Sequence, residues 1–129
     1  MNITDEEMKV LLASQQGEAD AVLMYNALAG AIKDKKDAET FRILASEEGR
    51  HAAVFRGLTN QVLKPKKTLA FFVPKLYRLI GKKRLYPVIA KFEYSAEKRY
   101  EPVAEKFPEI QSVKDDERRH GDTVMGLLK

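Results

Sequence analysis

Residues 48–51 read E-G-R-H and residues 117–120 read E-R-R-H, and these two stretches contain both histidines of the chain. In each stretch a glutamate precedes the histidine by three residues, and an arginine stands directly before the histidine. On an α-helix, side chains three residues apart lie on one face, about one turn apart. A carboxylate and an imidazole placed in this way can hold one metal ion, and two such pairs that face each other can hold two.

The first half of the chain predicts two long helices. Helix one begins at Thr4, where a Thr-x-x-Glu pattern is typical of a capping box, and apolar residues recur at helical spacing to about Ile32. Helix two follows a short polar turn, with Asp37 as its predicted cap, and ends near residues 59–60.

The second half begins with a long crossover over residues 61–85. A short amphipathic helix is predicted near 66–80, with Pro74 breaking or kinking it. Helix three is predicted to start near Pro87, since proline suits the first turn of a helix, and to run to about Lys106.

Pro102 should kink helix three or cost it a backbone hydrogen bond locally, and Pro108 should start helix four. No segment has the alternating pattern of a strand. Residues 1–129 are therefore predicted to form a single all-α domain. Its architecture is a four-helix bundle, in which two antiparallel helix pairs are joined by the long crossover with its short fifth helix.

The two halves also share a second motif. Residues 18–25 and 93–100 both read E-x-x-A-x-x-x-Y, on helices one and three. Measured from the turns near 35 and 107, Glu18 is offset from Glu48 by about four residues and Glu93 from Glu117 by the same amount, so the two groups are predicted to lie at equivalent heights. Glu97 lies near the same level and stays an alternative to Glu93 as a ligand.

A buried cluster of four carboxylates without cations would cost many kcal/mol and would force protonation. One glutamate from each of two helices, with a Glu-x-x-His from each of the others, is the ligand pattern of di-iron or di-manganese carboxylate bundles. Oxygen-rich ligands with one imidazole per metal favour two iron ions, with manganese as the alternative. The predicted ligands, which act in catalysis through the metals, are Glu18, Glu48, His51, Glu93, Glu117 and His120.

Charge is distributed unevenly along the chain. From Gly49 to Phe92 there are 11 lysines and arginines and no acidic residue, whereas the rest of the chain has a net charge of −7. This basic block is either a solvated face or a surface that attracts an acidic partner. Within it, residues 69–72 are predicted to cap the bundle or to form a dimer contact, with a membrane anchor as the less favoured alternative.

Composition excludes several classes of site. The 129 residues contain no cysteine, which excludes disulfides and a four-cysteine iron centre within them. No signal peptide is evident, and no apolar run approaches the roughly 20 residues that span a bilayer, so a cytoplasmic protein without a transmembrane segment is expected. No readout motif indicates specific binding of nucleic acid.

The chain resembles the ferritin-like superfamily, and most closely its rubrerythrin-like branch. Residues 17–25 resemble the first-helix motif of that family, and the two Glu-x-x-His pairs resemble its paired metal-binding motifs. Glu93, followed by Tyr100, Pro102 and Ala104, resembles its third helix. The resemblance implies that Glu48 and Glu117 bridge two irons.

Three details qualify this resemblance. Rubrerythrins usually carry a further metal-binding glutamate one turn after the third-helix ligand, where this chain has Ala96, so its ligand set is nearer to a bacterioferritin-type ferroxidase site. The C-terminal rubredoxin domain is expected to be lacking.

Residues 116–120 read D-E-R-R-H and resemble the D-E-x-R-H of di-iron oxygenases, in which the aspartate orients a ligating histidine. By this resemblance Asp116 and Glu47 orient the histidines here.

The resemblance implies a di-iron oxidoreductase that reduces hydrogen peroxide or dioxygen, in defence against oxidative stress. A separate donor, such as rubredoxin or flavodoxin, would supply electrons, and a homodimer is expected. Ferroxidation or iron handling is the first alternative, and a di-iron hydroxylase is a less favoured one. Tyr25 and Tyr100 are placed beside the ligands, as core residues with bonded hydroxyls or, less favoured, as redox participants.

Overall fold

The computed structural model describes residues 2–129, and in that range the chain forms helices joined by short connections, without a β-strand. The predicted all-α, ferritin-like bundle is confirmed. Helix α1 packs along α2, helices α4 and α5 pack along α6, and α3 packs on α1 and α4. The helices are α1 (Asp5–Ala31), α2 (Lys35–Thr59), α3 (Thr68–Ile80), α4 (Lys82–Tyr94), α5 (Ala96–Ala104) and α6 (Pro108–Gly126).

Side-chain caps fix the first two helices. The Thr4 hydroxyl accepts a hydrogen bond from the Glu7 amide at 3.1 Å, and the Glu7 carboxylate accepts one from the Thr4 amide, which confirms the capping box. The predicted cap of α2 was wrong, because Asp34 takes that position and accepts from the Asp37 amide at 2.9 Å. Asp37 is instead buried, where its carboxylate accepts a hydrogen bond from the Tyr86 hydroxyl at 2.8 Å.

The crossover is more helical than the sequence predicts. Helix α3 continues through Pro74 rather than breaking there, and Pro74 is the residue of α3 that is buried. Gly81, at a φ of 79°, ends α3 and starts α4 at once, a conformation that glycine adopts without strain. The predicted start of the third long helix near Pro87 was therefore wrong. That helix begins at Lys82, and Pro87 lies inside it.

The third long helix is also interrupted at Ser95, which separates α4 from α5. The Ser95 hydroxyl donates to the Phe92 carbonyl at 2.6 Å, and the Arg99 guanidinium donates to the same carbonyl at 3.3 Å. Side chains that bond a helix carbonyl in this way compete with its regular backbone hydrogen bond. Helix α5 continues through Pro102, whereas Pro108 starts α6 as predicted.

The bundle has two apolar clusters, one towards each end. One cluster joins α1, α2 and α4 to the end of α6 around Tyr25, Phe41 and Tyr86. The other joins α5 and the beginning of α6 to α1 and α2 around Leu11, Phe55 and Tyr100. Each long helix passes from one cluster to the other, so the polar residues between them form a layer across the middle of the bundle.

Helix α3 has a buried side and an exposed side. Val73, Tyr77 and Ile80 pack against the first apolar cluster and fix the helix on the bundle. Phe71 and Phe72 on the other side are each 58% exposed. Among residues 2–129, no helix is both long enough and apolar enough to cross a bilayer.

Candidate metal centre

The polar layer consists of six buried side chains from four helices. All six residues that the sequence predicts as ligands lie in it, and each is at most 3% exposed. Helix α1 contributes one glutamate and α4 another, whereas α2 and α6 each contribute a glutamate and the histidine one turn later. The six are Glu18, Glu48, His51, Glu93, Glu117 and His120.

One group of four surrounds His51. Its Nδ1 lies 2.9 Å from Glu117 Oε1, 3.0 Å from Glu48 Oε1 and 3.8 Å from Glu18 Oε2. One ligand atom from each of the four residues lies within 4.8 Å of the others. This spacing suits a single small cation at the centre of the group.

The second group of four surrounds His120. Its Nδ1 lies 3.3 Å from Glu48 Oε1, 3.5 Å from Glu117 Oε1 and 3.8 Å from Glu93 Oε2. Glu48 and Glu117 belong to both groups. The arrangement therefore offers two adjacent cation positions that share two carboxylates.

Three buried atoms of the layer form no hydrogen bond of good geometry within the described residues, although His51 Nδ1 lies close to one of them; the three are Glu93 Oε2, Glu117 Oε1 and His120 Nδ1. Leaving such atoms unpaired costs roughly 1–3 kcal/mol each, so native proteins rarely do it without a reason. Divalent cations in the two groups would take up all three atoms. The oxygen-rich donor set, with one imidazole in each group, fits iron or manganese.

Two carboxylates outside the layer orient the histidines crosswise. His51 Nε2 donates to Asp116 Oδ2 of α6 at 2.8 Å, and His120 Nε2 donates to Glu47 Oε1 of α2 at 3.0 Å. Because Nε2 is held on the outside, Nδ1 of each ring faces the layer. A partner of this kind fixes the ring orientation of a metal-binding histidine and raises its basicity.

Two tyrosines bond the layer in the same crosswise manner. The Tyr100 hydroxyl donates to Glu18 Oε1 at 2.7 Å, and the Tyr25 hydroxyl donates to Glu93 Oε1. Each tyrosine follows the glutamate of its own motif by seven residues but bonds the glutamate of the other motif. Both rings are also at most 1% exposed, so each of these tyrosines is a core residue with a bonded hydroxyl.

The two arginines of the E-x-R-H motifs differ in their contacts, which the sequence does not reveal. The Arg119 guanidinium lies 2.5 Å from Glu47 and 3.2 Å from Asp116, so it links both histidine-orienting carboxylates. Arg50 approaches only Glu47, at 4.0 Å, and its side chain is 68% exposed. Arg119 therefore belongs to the support of the site, and Arg50 lies at its edge.

Without cations, the layer holds protons. Burial, together with the charges of Glu18 and Glu48, raises the pKa of Glu117 to about 12, and burial raises the pKa of Glu18 to about 7. Burial would also raise the pKa of Glu48, but its interactions with His120 and His51 outweigh that effect and lower it to about 2.

The histidines of the metal-free layer are charged. Burial opposes this, but the carboxylates of Glu48 and Glu93 outweigh it and raise the pKa of His120 to about 10. Contacts with Glu117, Glu18 and Glu48 outweigh burial in the same way and hold the pKa of His51 well above its usual value. Protons thus neutralise the carboxylate cluster where cations are absent.

Glu97, the alternative third-helix ligand, lies outside both groups of four. Its carboxylate lies 2.5 Å from the Arg118 guanidinium, and its side chain is 38% exposed. Ala96, one residue earlier, is fully buried within the second apolar cluster. The interruption of the helix at Ser95 lies two residues after Glu93, which is the predicted ligand of α4.

A close contact beside the layer also escaped prediction. The Tyr94 ring packs against Gly121 so tightly that a Cβ at Gly121 would lie 2.4 Å from its Cε1 atom. The Tyr94 hydroxyl donates to Asp122 at 2.6 Å. Since Tyr94 follows Glu93 and Gly121 follows His120, this contact fixes α4 to α6 at the level of the second group.

Comparison with known proteins places the chain in a family context. The family model of rubrerythrin matches residues 9–128. This range contains all six side chains of the polar layer and the buried residues of both apolar clusters. No solved structure matches the chain.

Proposed function

Because the chain belongs to the rubrerythrin family, a ferritin-like di-iron family, we propose that it is a di-iron oxidoreductase. It would reduce hydrogen peroxide or dioxygen with electrons from a separate donor. The observation that carries the proposal is the pair of buried four-residue groups that share Glu48 and Glu117. Glu18 and His51 would complete one iron position, and Glu93 and His120 the other.

Iron ions bound at both positions would pass between the ferrous and ferric states and so supply the two electrons that convert one peroxide and two protons into two waters. The chain supplies geometry and exclusion of water. Apolar clusters on both sides of the layer keep bulk solvent away. The crosswise bonds from Tyr25 and Tyr100 hold Glu93 and Glu18 in place.

Asp116 holds His51 from the solvent-facing edge of the layer. Its side chain is 32% exposed, and its Oδ2 accepts the hydrogen bond of His51 Nε2. Asp116 is thus a direct link between solvent and the layer. Burial would raise the pKa of Asp116, but the hydrogen bond from His51 and the Arg119 guanidinium outweigh it and lower that pKa, so the carboxylate stays ionised as an acceptor.

Anaerobic loading tests the proposal. The chain is incubated with excess ferrous iron, with manganese in parallel, and metal per chain is measured after desalting. We expect two irons per chain, which hydrogen peroxide oxidises faster than dioxygen does. Glu97→Ala serves as the matched control, since Glu97 is a glutamate on the adjacent helix outside both groups. One bound metal or none in the unaltered chain would overturn the proposal.

The physiological role in this proposal is removal of peroxide. A small redox protein, such as rubredoxin or flavodoxin, would return the irons to the ferrous state, and the chain would act as a homodimer. Repeated turnover of peroxide with a reduced donor present would support this role. A single oxidation that no donor reverses would contradict it.

Ferroxidation is the second candidate, and one observation favours it. The position one turn after Glu93 is the buried Ala96, and Glu97 pairs with Arg118, which leaves a set of four glutamates and two histidines. Bacterioferritin-type ferroxidase sites resemble this set. Accumulation of ferric iron well beyond two ions per chain would favour ferroxidation over the peroxidase.

A further inference from the structure

Helices α3 and α4 expose an unusual number of large apolar side chains. Leu79 is 81% exposed, and the other six are between 39% and 59% exposed. Five of the seven lie on α3; Leu69, Phe72, Leu76 and Leu79 follow one another at spacings of three and four residues along one side of the helix, and the Phe71 ring lies beside Phe72. We call this surface the apolar face; it consists of Leu69, Phe71, Phe72, Leu76, Leu79, Val88 and Phe92.

The two helices form one continuous surface. A cavity of about 180 Å³ lies between them, with Leu69 and Leu76 of α3 on one side and Val88 and Phe92 of α4 on the other. Tyr25, whose hydroxyl bonds Glu93, also lines this cavity. The apolar side chains of α3 and α4 therefore share one surface with a groove between them.

The chain segment that carries the apolar face up to Phe92 has only basic charged residues. Residues 49–92 contain no aspartate or glutamate. In the described part of the chain, Lys75, Arg78, Arg84 and Lys91 form no ion pair with a carboxylate, although all four are exposed. Lys75 Nζ lies 4.6 Å from the centre of the Phe71 ring, so basic and aromatic side chains share the outer side of α3.

We propose that the apolar face binds the surface of an anionic phospholipid bilayer. An interfacial helix places aromatic and aliphatic side chains at the boundary of headgroups and acyl chains, and its lysines and arginines meet the lipid phosphates. Helix α3 has 13 residues, which suits a position in the plane of the interface rather than across it. Binding in this orientation turns the groove beside Tyr25 towards the lipid.

Charge favours a bilayer over a second copy of the chain as the occupant. Two apolar faces brought together would also bring two sets of lysines and arginines together, without a carboxylate from residues 49–92 to pair with them. Repulsion between these charges opposes such a dimer, whereas an anionic bilayer pairs with all of them.

Vesicle sedimentation tests the inference. The full chain is mixed with vesicles of phosphatidylcholine and phosphatidylglycerol in equal parts, or of phosphatidylcholine alone. We expect at least tenfold tighter binding to the anionic vesicles, with a further large loss at high salt because screening weakens surface charges. Equal binding to both vesicles, or binding to neither, would overturn the inference.

Variants locate the contact. Leu79→Glu and Phe72→Glu replace exposed side chains and should weaken vesicle binding about tenfold, without change in the helical circular dichroism. Ile43→Glu is the matched control, since Ile43 is 50% exposed on α2, away from the apolar face, and it should bind like the unaltered chain. Equal weakening by Ile43→Glu would mean that net charge alone matters and would contradict the assignment of this face.

Sedimentation velocity separates the other occupants. If Leu79→Glu turns a dimer into a monomer and leaves vesicle binding unchanged, the apolar face is an interface between copies and the inference fails. The inference also fails if the chain does not bind vesicles and the Phe72 side chain becomes protected from solvent only when an acidic protein is added. Metal loading plays no part in these experiments, so their outcome is independent of the proposed enzymatic function.

Discussion

The two halves of the bundle, α1 with α2 and α4 to α6, contribute equivalent side chains to the polar layer but differ in what surrounds it. Inside the layer, each half supplies two glutamates and one histidine. Around it, α1 is continuous whereas its counterpart breaks at Ser95, and Arg119 links two carboxylates whereas Arg50 is exposed. The two halves are thus equivalent only in the residues that would bind the metal ions.

The crosswise bonds explain why the halves depend on each other. Tyr100 and Asp116 of the second half bond Glu18 and His51 of the first. The same pattern runs from the first half to the second through Tyr25 and Glu47. Neither half can therefore orient its own candidate ligands, and the layer forms only when the halves dock.

The largest effect is expected from removing a shared carboxylate. Glu48 and Glu117 belong to both groups of four, so Glu48→Ala or Glu117→Ala should abolish binding of both metals. Glu18→Ala should weaken chiefly one position. Metal per chain after anaerobic loading is the measurement.

The matched pair Glu93→Ala and Glu97→Ala sharpens the result in the second half. Only Glu93 lies in a group of four, so Glu93→Ala should reduce metal content and Glu97→Ala should leave it near two. If Glu48→Ala still binds two metals per chain, Glu48 is not a ligand that both metal positions share. A larger loss of metal in Glu97→Ala than in Glu93→Ala would show that the ligand is Glu97, one turn later.

Metal loading should also release protons. Below their raised pKa values, Glu117, His51 and His120 each hold one proton in the metal-free layer, and Glu18, with its pKa of about 7, holds a fourth only in acid. Since ligands bind metal in their deprotonated form, we expect release of about four protons per chain at pH 6 and about three at pH 8. A pH-stat under anaerobic conditions measures the release. Equal release at both pH values would show that Glu18 does not titrate near 7.

A smaller effect is expected where α4 meets α6. In Gly121→Ala the new methyl group would meet the Tyr94 ring, which must swing away and lose its bond to Asp122. We expect the free energy of unfolding to fall by about 1–3 kcal/mol, as for overpacked sites. Urea denaturation measures it. Gly57→Ala is the control, because nothing lies within 4 Å of that position in α2 and alanine favours a helix. Equal stability of the two variants would show that Tyr94 adapts freely.

The sequence predicts the features that depend on local helical spacing, and it misses those that depend on contacts between helices. The six side chains of the layer share one level because their spacing follows helical periodicity, which the sequence displays directly. The break at Ser95 depends on a hydroxyl taking the Phe92 carbonyl, and the burial of Asp37 depends on Tyr86 from another helix. Such contacts form only after helices pack, so local patterns predicted a continuous helix three and the wrong cap.

Arg50 and Arg119 occupy the same position in the two motifs, so only their surroundings can make them differ. Arg119→Ala removes the group that links Glu47 to Asp116, and both histidines lose part of their orientation. Loss of such outer support typically weakens metal binding by about 10–100-fold, and we expect the lower end, since the two carboxylates themselves remain. Competition with a chelator measures the affinity.

Arg50→Ala removes the same charge from the equivalent motif position, so it corrects for the long-range effect of a lost positive charge on cation binding. With its side chain 68% exposed and 4.0 Å from Glu47, we expect a change of less than about twofold. The loss of metal affinity in Arg119→Lys should lie between those of Arg50→Ala and Arg119→Ala, because an ammonium group lacks the planar fork that reaches both carboxylates. Equal losses in Arg50→Ala and Arg119→Ala would mean that charge alone matters, and the halves would then be equivalent outside the layer as well as within it.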